Sequence, residues 1–169
     1  MVALLEIRTS EDNVDKIILN LDYPNLFQVE ASGFSGGIWI LWEDTIQVEI
    51  IKISSQFVHG RAREEGTSQW VFFTAVYASP NISKHIEVWE LLSNLNTGNN
   101  EAWLSGEDFN ATLRREESTG GAVRGLGGSK LLQDFICDSE LMEAEYKGSD
   151  FTWKSGKLWN RLDRCLFNK

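Results

Sequence analysis

The sequence contains few of the residues that stabilise small extracellular proteins or hold structural zinc. Its two cysteines, Cys137 and Cys165, lie far apart and outside any Cys-x-x-Cys spacing. This pattern excludes a disulfide framework and a cysteine-based zinc site. We therefore expect both residues to be reduced thiols in or near the core.

Long apolar segments are also missing. No run of residues is apolar over a length that could cross a bilayer. Residues 1–8 lack the basic lead and the extended apolar run of a secretory signal. The sequence therefore predicts an intracellular protein, nuclear or cytoplasmic, that has no membrane partner.

Signals of disorder and of domain division are scarce as well. The 169 residues include 2 prolines, are 24% charged and 42% hydrophobic, and contain no repeat or low-complexity tract. We therefore expect a single domain over residues 1–169 with a sizeable core. The 7 tryptophans need either that core or a binding surface.

The formal net charge of −9 argues mildly against nucleic acid as a partner. A protein that grips DNA by releasing counterions usually presents a basic face. A hydrolase that uses a divalent cation instead needs carboxylates in its site, and the cation supplies the positive charge. The acidic balance therefore leaves a metal-dependent hydrolase open.

Short β-prone segments dominate the chain, with a few helical ones between them. Helical spacing predicts helices over residues 11–21, 83–95 and 130–137, with Ser10 and Ser83 as N-caps. Glycine-rich or polar turns are predicted at residues 32–37, 96–100 and 118–129. The predicted strands are residues 2–6, 26–31, 38–42, 45–54, 57–63, 69–78, 102–105, 151–154 and 161–167. This composition predicts the α/β (α+β) class, as a two-layer β-sandwich flanked by helices.

The segment Asp108-Phe109-Asn110, which follows a predicted strand, is the most informative local pattern. Side chains two residues apart on an extended chain point the same way. The carboxylate of Asp108 can orient or deprotonate a water, and the carboxamide of Asn110 can hold a phosphate oxygen. Taken alone, the tripeptide fits ordinary turn chemistry better, because Asp and Asn often end strands.

Three further polar residues each have a plain structural explanation. Glu6 interrupts an apolar strand and is either an edge residue facing solvent or a ligand for a hard cation. Tyr77 ends the predicted central strand, where a core ring with its hydroxyl at the surface is ordinary. Asp163, between Arg161 and Arg164, fits a salt-bridged surface acid.

The order of these residues resembles the endonuclease/exonuclease/phosphatase family, which includes DNase I-like nucleases. That family shows an acid in a leucine-rich strand, then Y-x-x-P-N, G-D-F-N, a T-W or T-F strand, and R-x-D. The matching segments here are Leu4-Leu5-Glu6, Tyr77 to Asn81, Asp108-Phe109-Asn110, Phe151-Thr152-Trp153 and Arg161-Leu162-Asp163. Residues 33–39, 76–81 and 120–123 look more specifically like plant LINE-type retrotransposon copies.

The resemblance implies a DNase I-like fold and a role for each matching residue. Glu6 would bind Mg²⁺ or Mn²⁺, and Asp108 would orient or activate the attacking water, while Asn110 and Tyr77 hold the phosphate. Asn81 and Thr152 would contact substrate, and Asp163 would support a catalytic histidine. The implied reaction is metal-assisted hydrolysis of a phosphodiester, with DNA as substrate and the parent element's reverse transcriptase domain as a partner.

The sequence departs from the family pattern in three places. No asparagine-bearing strand precedes Glu6, and no Ser-Asp-His segment follows Asp163, so the domain looks partial. Glu107 stands where the family has glycine. The two histidines do not replace the missing one, because we expect His59 to be structural and His85 to be exposed on a helix. These departures predict impaired catalysis and marginal stability.

Three hypotheses follow from the sequence. The first is a retroelement-type, Mg²⁺-dependent DNA endonuclease domain. The second is a catalytically inactive remnant that binds metal or nucleic acid weakly. The third is a protein-interaction sandwich that uses tryptophans such as Trp39, Trp42 and Trp89. Only the third places Glu6 and Asp108 apart.

Overall fold

A computed structural model of the chain describes residues 1–7, 17–18, 20–30, 37–95, 101–120 and 128–168. Two α-helices in this part are bounded as α1 (Ile82–Ser93) and α2 (Lys130–Asp138), and Arg115–Glu117 form a 3-10 turn. The strands are β1 (Val2–Ile7), β2 (Asn25–Val29), β3 (Gly37–Trp42), β4 (Ile46–Ser54), β5 (Phe57–Glu64), β6 (Val71–Tyr77), β7 (Trp103–Asp108), β8 (Ser118–Thr119), β9 (Met142–Glu143), β10 (Trp153–Ser155), β11 (Leu158–Asn160) and β12 (Asp163–Phe167).

The largest sheet has six strands in the order β4-β5-β6-β7-β12-β9. Strands β6 and β7 are parallel, whereas the other neighbouring pairs are antiparallel. Helix α1 makes the connection between β6 and β7, as a parallel pair requires. Strand β6 is almost entirely buried, which agrees with the prediction of a central strand from its continuous apolar run.

A second sheet, in the order β1-β3-β2, packs against one face of the six-stranded sheet. Ile38 and Ile40 of β3 share a core with Val58, Phe73, Ala75 and Tyr77 of the larger sheet. The other face of the larger sheet forms a second core with α1 and α2, which contribute Val88, Trp89, Leu92, Leu132 and Phe135. The predicted sandwich of two sheets with helices outside is therefore confirmed, and a third, small sheet has the order β10-β11-β8.

The start of α1 differs from the prediction. The helix begins at Ile82, and Asn81, not Ser83, is its N-cap. The Asn81 side chain accepts from the backbone N–H groups of Ser83 and Lys84. Pro80 fixes an extended approach to the helix, which places Asn81 rather than Ser83 at the cap.

Several other expectations are corrected. Ile86, an apolar residue within the helix predicted from periodicity, is 46% exposed, whereas Val88 and Trp89 take the inward face. Cys137 is a free, exposed thiol rather than a core residue, whereas Cys165 is partly buried. Ser118–Thr119, predicted as loop, pair with β11. Strands β9 and β11 were not predicted, because two or three residues give no periodicity.

Some predictions fall on residues outside the described part. These are the cap at Ser10, most of the helix over 11–21, and the turns at 32–36 and 96–100. Residues 121–127 of the predicted loop also lie outside it. Among the described residues, no helix is long and apolar enough to cross a membrane.

Candidate active site

Three predicted residues lie side by side where the central strands of the six-stranded sheet meet. Tyr77 ends β6 and pairs with Asp108, the last residue of the parallel strand β7. Asp163, the first residue of the antiparallel strand β12, pairs with Asp108 from the other side. The carboxyl ends of parallel strands share one edge of a sheet, where ligands of α/β proteins commonly bind. The strand register therefore places Tyr77, Asp108 and Asp163, which are distant in sequence, side by side in one polar row.

Glu6 reaches this row from the second sheet. The β1–β3 register shifts between Leu5 and Ile7, and Glu6 at the bulge has a left-handed φ of 54°. A bulge redirects a side chain out of the strand pattern and is frequent beside active sites. The Tyr77 hydroxyl donates to Glu6 Oε1 over 2.7 Å, although the two residues are 71 positions apart. The two sheets are thus joined by a hydrogen bond at the polar row.

The turn after β7 holds the carboxylate of Asp108 in place. Its Oδ1 accepts from the Asn110 backbone N–H over 2.8 Å, and its Oδ2 accepts from Asn110 Nδ2 over 3.0 Å. The same Nδ2 donates to the Ala78 carbonyl at the end of β6. Asn110 has a left-handed φ of 47°, which few residues other than glycine tolerate, and asparagine is among them. Asn110 therefore orients Asp108 in this structure.

The pKa of Asp108 is raised from 3.8 to about 6. Burial is the largest cause, and the negative charges of Asp163 and Glu6 raise it further, while the hydrogen bonds from Asn110 oppose the shift. A carboxylate with this pKa is ionised at neutral pH and accepts a proton more readily than an ordinary aspartate. Such perturbed groups in a polar cluster are typical of functional sites.

Thr152 holds the start of β12 in place by hydrogen bonds. Its Oγ1 accepts from the backbone N–H groups of Leu162 and Asp163, over 3.0 and 3.1 Å. Its side chain is on the surface, and it borders the same cavity as Asp163. In this structure Thr152 therefore fixes the backbone that carries Asp163.

Asn81 is exposed, and its side-chain oxygen is engaged with the first turn of α1. Its backbone N–H donates to the Ser79 hydroxyl over 3.2 Å. Ser79 N–H in turn donates to the buried Gln56 side chain. The observed role of Asn81 is thus helix capping close to the polar row, and its predicted contact with substrate stays a prediction.

The two histidines occupy different places. His59 is buried, its Nδ1 lies 2.9 Å from Thr74 Oγ1, and burial lowers its pKa to about 4. His85 was expected to be exposed, but it is half-buried against Trp89, with its Nε2 3.0 Å from the Phe109 carbonyl oxygen. Helical spacing places a residue on a helix face, but it does not show which loop packs there.

A buried ion network behind the row was not predicted. Arg164, whose side chain is fully buried, forms ion pairs with Glu117 and Glu143, and Arg161 also pairs with Glu143. Arg164 further donates to the Ala111 carbonyl, in the segment that follows the Asp108 turn. The only sequence signal was the pair of arginines on either side of Asp163, which equally fits surface charges. The network ties β12 and the residue Arg161 just before it to β9 and to the segment that follows β7.

The oxygen donors at the row fit a hard divalent cation. Glu6 is an exposed carboxylate, and Asp108 and Asp163 contribute negative potential nearby. No group of three or more acidic, histidine or cysteine side chains converges on one point in the described part of the chain. Mg²⁺ usually keeps several waters and is held by one or two carboxylates, so Glu6 with water ligands is a suitable donor set.

A cavity of about 610 Å³ opens beside Asp163 and Thr152. Its floor is the face of β6, β7 and β12, including Phe73, Ala75 and Leu104. Within the polar row, it is Asp163 that borders this cavity.

The fold has counterparts among solved structures. The human Nocturnin catalytic domain with a bound sulfate anion matches with a TM-score of 0.63 and 12% identity, over 99% of this chain and 68% of that one. The endonuclease domain of TRAS1, a telomere-specific non-LTR retrotransposon, matches with a TM-score of 0.61 and 17% identity, over 86% and 67%. TDP2 of D. rerio, complexed with a single-strand DNA product, matches with a TM-score of 0.58 and 13% identity, over 99% and 70%.

No family model and no curated protein matches the chain in sequence. At these identities the structural matches establish the fold, which is the DNase I-like α/β fold expected from the motifs.

Proposed function

We propose that this chain is a divalent-metal-dependent phosphodiester hydrolase of the DNase I-like type that acts on DNA. The observation that carries the proposal is the contact between Tyr77 and Glu6 beside the paired Asp108 and Asp163. Four chemically suitable residues from four strands meet at one edge, although their sequence segments are far apart. A protein-interaction sandwich has no need of this arrangement.

The relatives in fold support the same conclusion. The TRAS1 match is the endonuclease domain of a retrotransposon, and the D. rerio TDP2 match is complexed with a single-strand DNA product. The human Nocturnin match is a catalytic domain with a bound sulfate anion. The TRAS1 similarity also supports the finer proposal of a retroelement endonuclease, with plant LINE copies as the source suggested by the motifs and the element's reverse transcriptase domain as a partner.

In the proposed mechanism Asp108 is the general base that removes a proton from the attacking water. Its pKa of about 6 leaves it ionised at neutral pH, and Asn110 fixes its orientation. Asn110 Nδ2 donates its two hydrogens to the Ala78 carbonyl and to Asp108 Oδ2. Asn110 can therefore donate to a phosphate oxygen only after one of these two hydrogen bonds is broken.

Glu6 would hold Mg²⁺ or Mn²⁺, with Tyr77 fixing the carboxylate through its hydroxyl. When bound, the cation would supply positive charge against the charge that develops on the phosphate. The Tyr77 hydroxyl would contact the phosphate only after its single hydrogen is released from Glu6. Asn110 would contact it after the release described above, and Asn81 and Thr152 would lie along the substrate. Asp163 raises the pKa of Asp108, and its predicted support of a histidine stays a prediction.

Nicking of supercoiled plasmid DNA by the purified chain tests the proposal. We expect Mg²⁺-dependent nicking that EDTA abolishes and that Asp108→Ala reduces by about 100-fold or more, the usual contribution of a general base. Asp138→Ala is the matched control, because Asp138 is an exposed acid at the end of α2. RNA and a chromogenic phosphodiester, assayed in parallel, identify the substrate class.

Two outcomes would contradict the proposal. Nicking that Asp108→Ala leaves unchanged would remove Asp108 from the mechanism. Absence of nicking in the parent chain would favour the inactive remnant. Of the tryptophans named for the interaction-module alternative, Trp39 and Trp89 are each only 3% exposed and belong to the interior, whereas Trp42 is half-buried.

A further inference from the structure

The turn that carries Asp108 and Asn110 is fixed from several sides. The Asp108 carbonyl accepts from Ala78 N–H, and Phe109 N–H donates to the Leu162 carbonyl. Asn110 contributes the side-chain bonds described above. The carbonyl of Phe109 faces His85 Nε2 at 3.0 Å. His85 thus links α1 to the backbone of this turn.

Helix α1 contacts Phe109 twice. The ring of Phe109 is fully buried and stacks on Trp89, with ring centroids 5.9 Å apart. His85 lies one helical turn before Trp89 and tilts against its ring, so the two residues share a face of the helix. Trp89 therefore contacts the Phe109 ring while His85 contacts its carbonyl.

The protonation of His85 follows from this contact. A carbonyl oxygen only accepts hydrogen bonds, so Nε2 of His85 must carry the hydrogen. Burial lowers the pKa of His85, which favours the neutral ring at neutral pH. The contact therefore selects the neutral tautomer with hydrogen on Nε2.

We propose that His85 is a positioning residue for the proposed hydrolysis: its Nε2–H holds the Phe109 carbonyl and thereby fixes the turn that aims Asp108 and Asn110. The left-handed φ of Asn110 makes this support necessary, because such a conformation persists only where its surroundings impose it. His85 touches neither metal nor substrate in this role. The expected effect on kcat rests on the proposed function, whereas the expected effect on the conformation of the turn does not.

Three variants separate hydrogen bonding from packing. His85→Leu keeps an apolar side chain against Trp89 but has no donor, whereas His85→Gln places an amide donor near the position of Nε2. Glu87→Leu is the matched control, because Glu87 is an exposed residue on the same helix. Since small misplacements of catalytic groups can cost about 100-fold in rate, we expect His85→Leu to lower kcat by about tenfold or more. We expect its KM for plasmid DNA to stay near that of the parent, and His85→Gln to recover most of kcat.

Two measurements do not depend on activity. Histidine ¹⁵N NMR of the parent chain at neutral pH should show His85 protonated at Nε2 only. Amide hydrogen exchange of Asn110 should accelerate in His85→Leu and not in His85→Gln or Glu87→Leu, because the Asn110 N–H bond to Asp108 depends on the turn.

Hydrogen on Nδ1 of neutral His85, or equal behaviour of the leucine and glutamine variants in exchange, would overturn the proposal. If the parent chain does not nick DNA but the NMR and exchange results appear as expected, the hydrolase proposal fails and the positioning role of His85 stands.

Discussion

Asp108 lies in an environment that differs strongly from that of a free side chain. Its partial burial and the nearby charges of Asp163 and Glu6 raise its pKa to about 6. The protonated carboxyl is therefore favoured in the folded state relative to the unfolded chain. Stabilisation from this group is fully present below pH 3.8, the unfolded value, and is lost as the pH rises through about 6.

This shift predicts a pH-dependent difference between the parent chain and Asp108→Asn, which cannot ionise. The full shift corresponds to at most about 3 kcal/mol, which solvent screening at a partly exposed group reduces to about 1 kcal/mol. Between pH 4 and 7 the free energy of unfolding of the parent should fall by about this amount relative to the variant. Urea denaturation at several pH values measures the difference, and parallel curves would contradict the raised pKa.

Glu6 and Asn110 both have an unusual backbone conformation at the candidate site. Both have a positive φ without being glycine, and both contribute side chains to the polar row. Left-handed backbone at ordinary residues is costly and clusters at functional sites. Neither conformation is visible in the sequence, because each is imposed by neighbours from another strand.

At the scale of elements, the loop from β6 into α1 combines capping with a predicted substrate contact. Asn81 caps α1 through its side-chain oxygen. Asn81→Ala should therefore lower stability by about 1 kcal/mol, whereas Asn81→Asp should preserve it, because aspartate caps as well as asparagine. Thermal unfolding measures this effect.

The same two variants test substrate binding at Asn81. If Asn81 also contacts DNA, Asn81→Asp should raise the KM for plasmid several-fold despite its intact cap, since a carboxylate repels phosphate. An unchanged KM in the aspartate variant would limit Asn81 to capping.

The junction between β10 and β12 depends on the hydroxyl of Thr152, which accepts two backbone hydrogen bonds. Thr152→Val keeps the shape but leaves the N–H groups of Leu162 and Asp163 without this acceptor. Because Thr152 is at the surface, where water replaces part of the lost bonding, we expect a loss of about 1 kcal/mol. Thr152→Ser, which keeps the hydroxyl, is the control and should unfold like the parent in urea. Equal loss in both variants would point to packing of the methyl group instead.

At the scale of the whole molecule, the accessible surface is large for the mass. It amounts to 10621 Å², whereas a compact monomer of 19.2 kDa exposes about 8,400 Å². Apolar residues contribute to this surface: Leu104 on the cleft floor is 44% exposed and Met142 is 37% exposed. Surface of this kind weakens the hydrophobic contribution to folding and favours association.

The purified chain should therefore be marginally stable or should associate with another chain. Circular dichroism during heating, with light scattering at the same temperatures, measures both properties. A sharp, reversible transition of a monomer well above ambient temperature would contradict this expectation. Leu104→Lys should reduce association without changing the buried cores, because Leu104 projects into the open cleft.

The sequence by itself determined which residues were candidates and which of the longer segments became strands. Apolar alternation in β4 and the continuous apolar run of β6 are local properties, so the strands could be predicted to within a few residues. The order of Glu6, Tyr77, Asp108 and Asp163 along the chain was equally readable, and it led to the observed fold. These four residues, which were selected because their motifs follow the order of the family, are neighbours in the structure.

Only the tertiary structure decided how those residues meet. The register of β6, β7 and β12, the bulge at Glu6 and the approach of His85 to Phe109 depend on pairing between distant segments. Their energies come from contacts that no local pattern encodes. For the same reason the roles of Asn81 and Thr152 in supporting backbone emerged only when the strands and helix they serve were in place.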